Sequence, residues 1–332
     1  MKILVFEYIT GGGMLGEAIP RALMREGELM LAALLGDLSE LPEVRTVVLR
    51  DVRLPLSEQQ FPEAKWVFVD RKDDLEHHLK DQIERCDAVW PIAPETGGIL
   101  ERLCRRVEVA GKTLLTSSGD AVSLAAGKLA TVKRLENAGV PTVSTFTLSE
   151  SNPLVFPCVV KPDDGVGCEG ARIIETEGEW KTWLAEIDDL TRYVVQPLID
   201  GEPLSLSVLF AHGKGRLLSC NRQRIVRAHG GFALCGCEVG AIRTGLGVYR
   251  ALADRIAEAM PELWGYAGID LMHCEQGPRV LEINPRLTTS YAGLRQCLGI
   301  NPAALVLNLL RSGTLPEFGP TSGKSVEIRV EP

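Results

Sequence analysis

The 332-residue chain carries 36 Lys and Arg against 44 Asp and Glu, which gives a formal net charge of −8, and 45% of its residues are hydrophobic. This is the composition of an ordinary globular enzyme. The chain is longer than those that usually fold around a single hydrophobic core, so we expect several lobes. Acidic and basic residues are interleaved and no apolar run approaches about 18 residues, which argues against nucleic acid and membrane as partners.

The N-terminus and the cysteines favour a cytoplasmic protein. The first residues, 1–7, are too short and too soon acidic for a signal peptide. Nine cysteines are scattered along the chain, as expected for reduced thiols and not for a disulfide framework. Cys235 and Cys237 form a close pair, but no second pair and no nearby histidines complete a zinc site, so we interpret them as core or loop thiols.

Apolar runs alternate with helical patterns through the first 110 residues. Strands are predicted at 2–6, 44–49, 66–69 and 87–92, and helices near 19–34, 73–85 and 97–106. Such alternation is typical of a small parallel α/β sheet.

Three glycines near the N-terminus, Gly11, Gly13 and Gly16, satisfy the spacing G-x-G-x-x-G of a dinucleotide site. However, residues 7–10 separate them from the strand, and no acid ends a second strand where the ribose ligand is needed. A permissive or substrate-facing turn is favoured, and a nicotinamide site stays open as an alternative.

The pattern changes after a helix that is predicted to begin at Lys128 and to stop before a Gly-Pro signal at 139–141. Short strands with few helices between them follow, at 143–148, 157–161, 171–174, 193–196 and 204–210, which indicates antiparallel sheet. We therefore divide the chain into residues 1–110, 111–195 and 196–332.

A lysine at the end of a strand precedes a glycine-rich turn. Lys161 is followed by Gly165, Gly167 and Gly170, and then by another strand. Glycines let backbone N–H groups approach an anion, and the lysine adds a positive charge beside them. The segment predicts a phosphate site, with a plain hairpin turn and a surface lysine as the alternative.

Polar residues alternate with apolar ones on two later strands. Glu282 and Asn284 share one face of their strand, Asp270 lies on the preceding strand, and Arg286 follows. Carboxylate and amide oxygens suit magnesium, whereas a solvated sheet face is the simpler alternative. Asp270 can face Glu282 only if the hairpin, expected to turn at 276–278, has an odd loop or a β-bulge.

The extended segment 193–202 ends in an amide, a proline and a Gly-Glu pair. It suits a connection between two lobes, where free backbone groups read an adenine edge and Glu202 accepts a ribose hydroxyl.

The order of these features resembles the ATP-grasp superfamily of carboxylate–amine ligases, over about residues 110–312. The resemblance implies an α/β protein with α+β lobes, in which a Rossmann-like pre-ATP-grasp domain precedes the ATP-grasp fold. Within the superfamily, the chain is most similar to the tyramine–glutamate ligase family of methanofuran biosynthesis. The segments that carry this narrower resemblance are 6–8, 93–95, 201–207, 221–223, 236–239 and 282–289.

The resemblance implies a role for each site residue. The residues that would bind the ATP phosphates are Lys128, Lys161, Gly165, Gly167 and Gly170. Gln196 and the Leu198 backbone would contact adenine, and Glu202 would contact the ribose. Two magnesium ions, or manganese, would be coordinated by Asp270, Glu282 and Asn284. The superfamily often has an acid where this chain has Gln196. Lys161 and Arg286 are the expected catalytic residues, and a homodimer is expected by analogy only.

The implied reaction joins the side-chain carboxylate of L-glutamate to the amine of tyramine through an acyl phosphate, with release of ADP and phosphate. Candidate substrate contacts are Asn221, Arg222, Glu238 and Thr288, and Glu238 is also a guess for the base. His229 is expected in a flexible loop. The alternatives are a ligase for other amino acids or amines, a nicotinamide-dependent oxidoreductase, and a nucleotide sensor without turnover.

Overall fold

The structure is a computed structural model that describes residues 1–55, 61–148, 155–228, 230–317 and 323–330. His229 lies outside the described residues. None of the described helices is long and apolar enough to cross a membrane. All nine cysteines are described and have free thiols.

The strands are β1 (Lys2–Glu7), β2 (Arg45–Asp51), β3 (Lys65–Val69), β4 (Ala88–Ile92), β5 (Thr113–Leu114), β6 (Phe146–Thr147), β7 (Cys158–Pro162), β8 (Arg172–Ile174), β9 (Tyr193–Pro197), β10 (Glu202–Ala211), β11 (Lys214–Ala228), β12 (Gly231–Ile242), β13 (Gly265–Cys274), β14 (Gly277–Asn284) and β15 (Val326–Arg329). The α-helices are α1 (Arg21–Ser39), α2 (Lys72–Arg85), α3 (Ile99–Val109), α4 (Gly119–Ala126), α5 (Lys128–Asn137), α6 (Glu177–Glu186), α7 (Gly247–Ala259), α8 (Tyr291–Leu298) and α9 (Pro302–Ser312).

The N-terminal sheet is parallel, in the order β3-β2-β1-β4-β5. Its central strand β1 is buried from Ile3 to Glu7, because helices cover both faces of a parallel sheet. One face packs on α1 and the other on α2 and α3. The predicted parallel α/β sheet is confirmed.

The second sheet is antiparallel and has ten strands, in the order β14-β13-β10-β11-β12-β8-β7-β9-β6, with β15 paired to β12. The register between β12 and β8 consists of one pair, Gly231 with Arg172. The sheet is therefore nearly divided into a smaller part, β6 to β9, and a larger part that contains β10 to β15.

Two helices show why the chain changes direction where it does. Asn301 caps α9 by accepting the N–H of Ala304, Pro302 opens the helix, and Gly313 closes it at a φ of 68°. Helix α4, which sequence patterns do not predict, begins at the cap Ser118 and ends where Gly127 interrupts the path into α5.

The predicted domain limits remain a proposal. The N-terminal sheet continues past residue 110 to β5, and the limit at 195 falls inside β9. The core that covers one face of the N-terminal sheet also contains Tyr291, Leu294 and Val306 from α8 and α9. The N-terminal and C-terminal parts of the chain thus share one apolar core.

Candidate active site

Two carboxylates face each other on the hairpin of β13 and β14. Asp270 pairs directly with Glu282, so both side chains leave the same face of the sheet. The chain turns at residues 275 and 276, and the predicted turn at 276–278 is wrong by one residue. A two-residue turn alone would set Leu281 opposite Asp270. A β-bulge at that point shifts the register, which is the condition that the sequence required.

The carboxylate pair, Asp270 and Glu282, has hydrogen-bond donors and cations around it. Gln223 Nε2 donates to Asp270 Oδ1 at 2.9 Å, and Asn284 Nδ2 donates to Oδ2 at 3.2 Å. Burial and the neighbouring Glu282 raise the pKa of Asp270. Burial opposes ionisation of Glu282 too, but Lys128 and Lys161 hold its pKa below the ordinary value.

These residues fit a hard divalent cation. Within the described chain no three His, Cys, Asp or Glu side chains cluster as a metal site, so the candidate set is two carboxylates and the amide of Asn284. Two buried carboxylates in direct apposition repel each other unless a proton or a cation lies between them. Magnesium is usually held by one or two protein carboxylates, with water and phosphate completing its shell.

Two lysines approach the pair from neighbouring elements. Lys128, at the start of α5, is 4% exposed, and its Nζ lies 3.4 Å from Glu282 Oε2. Lys161 is at the end of β7, and its pKa is lowered by burial, although Glu282 acts in the opposite direction. The carboxylate pair and the two lysines therefore form one charged cluster, as the sequence indicated.

The glycine loop, residues 163–170, folds over this cluster. Lys128 Nζ donates to the carbonyl of Gly165, and the N–H of Leu129 donates to Asp163 Oδ1 at 2.8 Å. Burial, then Glu282 and Asp270, raise the pKa of the Cys168 thiol to about 11, so Cys168 is a protonated neighbour of the carboxylates. Gly167 and Gly170 adopt φ of 58° and 69°, which favours glycine.

A loop of the N-terminal part contacts both the glycine loop and the cation after β14. Asp164 Oδ2 accepts the N–H of Gly97 at 2.8 Å. Arg286 donates through Nε and Nη2 to Glu95 Oε2, each at 3.0 Å, and both side chains are buried. Sequence reasoning gave Glu95 no role, but its place after the buried strand β4 was a usable signal, because ligands bind at the carboxyl ends of parallel strands.

The predicted adenine contacts have partners inside the protein. Gln196 is 3% exposed, and its Nε2 donates to Thr145 Oγ1 at 2.7 Å. The N–H of Leu198 donates to the carbonyl of Pro157 at 3.1 Å, so this amide is engaged. What remains for a base is the side-chain oxygen of Gln196 and the carbonyl of Leu198.

Three predicted residues lie on the other face of the sheet. Ser205 pairs with Asp270, so Glu202, three residues earlier, points to the opposite side. Arg222 is on that same opposite side, where it lies 2.5 Å from Glu202 Oε1 and 3.1 Å from Glu238 Oε2. The structure does not bring this ion-pair group to the carboxylate pair, and the roles expected of Glu202 at the ribose and of Arg222 and Glu238 at the substrates stay predictions.

The remaining candidates, Asn221 and Thr288, belong to a polar network. Asn221 is fully buried; it donates to Ser205 and Ser207 and accepts the N–H of Gly240 at 3.0 Å. All its contacts are internal, so it supports the sheet and does not face a substrate. Thr288 shares a hydrogen bond of 3.1 Å with Tyr266 beside the strand that carries Asp270.

The N-terminal glycines do not fit a dinucleotide. The turn Ile9–Gly13 directs the N–H groups of Ile9 and Thr10 to the carboxylate of Glu7, at 3.2 and 2.6 Å. A pyrophosphate would need these amides and would meet a carboxylate there. Burial raises the pKa of Glu7 to about 7. The geometry gives no support to the nicotinamide alternative.

Comparison with known proteins identifies the family. A family model described as ATP-grasp domain matches residues 125–290, half of the chain, and one described as pre ATP-grasp 3 domain matches residues 44–122. The chain is 28% identical over 302 residues to tyramine–L-glutamate ligase of Methanocaldococcus jannaschii, covering 88% of this chain and 84% of the relative. The ligase of the same name from Methanocaldococcus fervens is also 28% identical over 302 residues, with 88% and 89% covered.

Solved structures share the fold. An ATP-grasp superfamily protein from Archaeoglobus fulgidus superposes with a TM-score of 0.68 at 25% identity, over 93% of this chain and 88% of that one. D-alanine–D-alanine ligase from Bacillus anthracis, complexed with ATP, gives 0.63 at 19% identity, over 94% and 96%. The chain belongs to the ATP-grasp family and is an ATP-dependent carboxylate–amine ligase.

Proposed function

We propose that the protein joins the side-chain carboxylate of L-glutamate to the amine of tyramine, with ATP converted to ADP and phosphate. The relatives named tyramine–L-glutamate ligase support this choice of substrates. With these substrates, the step would belong to methanofuran biosynthesis, as the resemblance implies. The observation that carries the proposal is the charged cluster, in which Lys128 and Lys161 face Asp270 and Glu282 beneath the glycine loop.

In this proposal the nucleotide lies between the parts 111–195 and 196–332, with its phosphates against Lys128, Lys161 and the glycines of the loop. Lys128 Nζ donates to the carbonyl of Gly165 and pairs with Glu282. Phosphate oxygens would take over these contacts as charge-assisted hydrogen bonds. The adenine amino group would donate to the Gln196 side-chain oxygen, because the hydrogen bond to Thr145 uses only the side-chain nitrogen.

Asp270, Glu282 and Asn284 would hold magnesium. When bound, the metal neutralises phosphate charge and orients the γ-phosphate. The protein's own part is to present the two carboxylates and the Asn284 amide on one face of the hairpin, with Lys128 and Lys161 beside Glu282.

The chemistry needs activation because a carboxylate and an amine do not condense in water. A carboxylate oxygen of glutamate attacks the γ-phosphorus, and the bond from that phosphorus to the bridging oxygen breaks, which leaves ADP. The tyramine nitrogen then attacks the acyl carbon, and the carbon–oxygen bond to phosphate breaks. Lys161 and Arg286 stabilise the charge on the transferring group, so positioning and electrostatics suffice without an enzyme nucleophile.

The glycine loop excludes water from the acyl phosphate in this proposal. Its contact with the N-terminal part, through Asp164 and the N–H of Gly97, describes a closed position. Closure of such a loop protects intermediates that water would hydrolyse. The resemblance-based expectation of a homodimer stays a prediction.

The test is the substrate dependence of ADP release. Purified protein with ATP and magnesium is given glutamate, tyramine, both, or neither, and ADP is followed by a coupled assay. We expect sustained release only with both substrates, together with a product of the mass of the amide. Equal release without tyramine, or none with both, would remove these substrates from the proposal, and a panel of amino acids and amines would then identify the ones used.

A further inference from the structure

The first two residues of the glycine loop are bound by different parts of the chain. Asp163 is bound within the part 111–195: its N–H donates to the carbonyl of Arg192 at 2.8 Å, and its Oδ1 accepts the N–H of Leu129 at 2.8 Å. The next residue, Asp164, is bound to the N-terminal part instead. The loop therefore begins on its own lobe and is fixed to another part of the molecule one residue later.

Asp164 makes two hydrogen bonds to the turn between β4 and α3, residues 95–98. Its Oδ2 accepts the N–H of Gly97 at 2.8 Å, and its backbone carbonyl accepts the hydroxyl of Thr96 at 3.1 Å. No other loop residue has a hydrogen bond to the described residues of the N-terminal part, and the paired N–H groups that follow Asp164 bond within residues 162–171. Asp164 is thus the hydrogen-bonded connection between the loop and the turn.

The same turn also positions the cation that follows β14. Glu95, its first residue, is 4% exposed and accepts hydrogen bonds from Nε and Nη2 of Arg286, each at 3.0 Å. Gly97 and Gly98 adopt φ of 61° and 67°, which favours glycine, and Arg102 donates to the carbonyl of Gly97. Four consecutive residues therefore fix both the closed glycine loop and the guanidinium of Arg286.

We propose that Asp164 is a positioning residue for the ligase reaction, because its hydrogen bonds to the 95–98 turn keep the glycine loop closed over the acyl phosphate beside Arg286. The inference rests on the proposed function, in which that intermediate forms in the cleft. Without these bonds, water would reach the acyl carbon and attack it. The carbon–oxygen bond to phosphate would break and a proton would be released, so the carboxylate would return and ATP would be consumed without amide.

The experiment measures ADP and amide together in the complete reaction with ATP, magnesium, glutamate and tyramine. Asp164→Ala removes the acceptor for Gly97, and we expect the ratio of ADP to amide to reach about three times the wild-type ratio or more. Asp164→Asn keeps a side-chain oxygen as acceptor and should restore most of the coupling. Thr96→Val removes the second bond from the other side and should raise the ratio too. Asp188→Ala, an exposed carboxylate of the same lobe but outside the loop, is the matched control and should leave the ratio unchanged.

A second measurement reports on the loop without depending on the substrates. Hydrogen–deuterium exchange is followed in peptides that cover residues 163–171, for the wild type and each variant. D164A and T96V should exchange faster in this segment, because their loop has lost a bond to the turn, whereas D188A should not. Peptides from β13, residues 265–274, should exchange as in the wild type, which verifies that the fold is kept.

The outcomes separate this inference from the proposed function. If loop exchange in D164A equals that of the wild type, or if ADP release and amide formation fall in equal proportion, the inference is overturned while the ligase remains. If the wild type does not join glutamate to tyramine, the ratio is measured with the amino acid and amine that the panel identifies. A protein that forms no amide with any pair would overturn the proposed function and the catalytic role of Asp164 together, whatever the exchange shows.

Discussion

At the scale of single residues, charge and burial determine the candidate site. Asp270 and Glu282 have the same chemistry but opposite pKa shifts: burial and the charge of Glu282 raise the pKa of Asp270, whereas Lys128 and Lys161 outweigh burial at Glu282 and lower its pKa. Glu282 is the member of the pair that is ionised most readily. It contacts Lys128 directly and would meet the metal and the phosphate at once.

Glu282→Gln should reduce turnover by roughly 100-fold or more, since it removes the negative charge of a ligand to the metal that would neutralise the transferring phosphoryl group. The amide is nearly isosteric, so the fold should be kept. Glu275→Gln, on the exposed turn of the same hairpin, is the matched control and should be neutral. Near-normal turnover by a folded E282Q protein would rule out the metal-site assignment.

At the scale of elements, alternation along a strand was sufficient to place Glu282 and Asn284 on the same face of β14. It also predicted that Asp270 can share that face only if the hairpin has an odd loop or a β-bulge, and the bulge is present. The alternation could not tell on which face Glu202 and Arg222 lie relative to Asp270. Their registers place both on the face opposite the carboxylate pair, and facing depends on strand pairing that one strand does not specify.

The parts of the site that sequence patterns missed come from distant elements. Glu95 lies in the N-terminal part, 191 residues before its partner Arg286. Periodicity reports on the element in which a residue lies, not on what packs against that element. The strands of the parallel sheet were predictable because burial on both faces leaves continuous apolar runs, as in β1 and β4.

At the scale of the whole molecule, buried polar contacts form the interface between the N-terminal and C-terminal parts of the chain. Asp37 on α1 is 3% exposed; Tyr291 donates to its Oδ2 at 2.7 Å, and Arg295 lies 3.6 Å from its Oδ1. Asn301 donates to its carbonyl at 2.8 Å. Together with Arg286 and Glu95, this contact sets the wall of the cleft relative to the carboxylate pair.

The interface should make stability depend on pH. Burial raises the pKa of Asp37 from 3.8 to about 6, so the folded state favours the protonated form. The contribution of Asp37 to the free energy of unfolding is therefore full below pH 4 and falls as the pH rises through about 6, by at most about 3 kcal/mol.

Urea unfolding of the wild type and of Asp37→Asn measures this effect. Between pH 5 and 7.5, the wild type should lose about 1–2 kcal/mol relative to the variant. Asp120→Asn, at an exposed position, controls for a general change in charge. A difference between wild type and D37N that does not change with pH would contradict the role given to Asp37.

The most direct test of the central claim follows oxygen from glutamate to phosphate. L-glutamate labelled with ¹⁸O in its side-chain carboxylate is incubated with the protein, ATP, magnesium and tyramine, and the phosphate is analysed by mass spectrometry. An acyl phosphate requires that one labelled oxygen leave with phosphate while the other stays in the amide, and this is the result we predict. Unlabelled phosphate released together with ADP would contradict the proposed reaction.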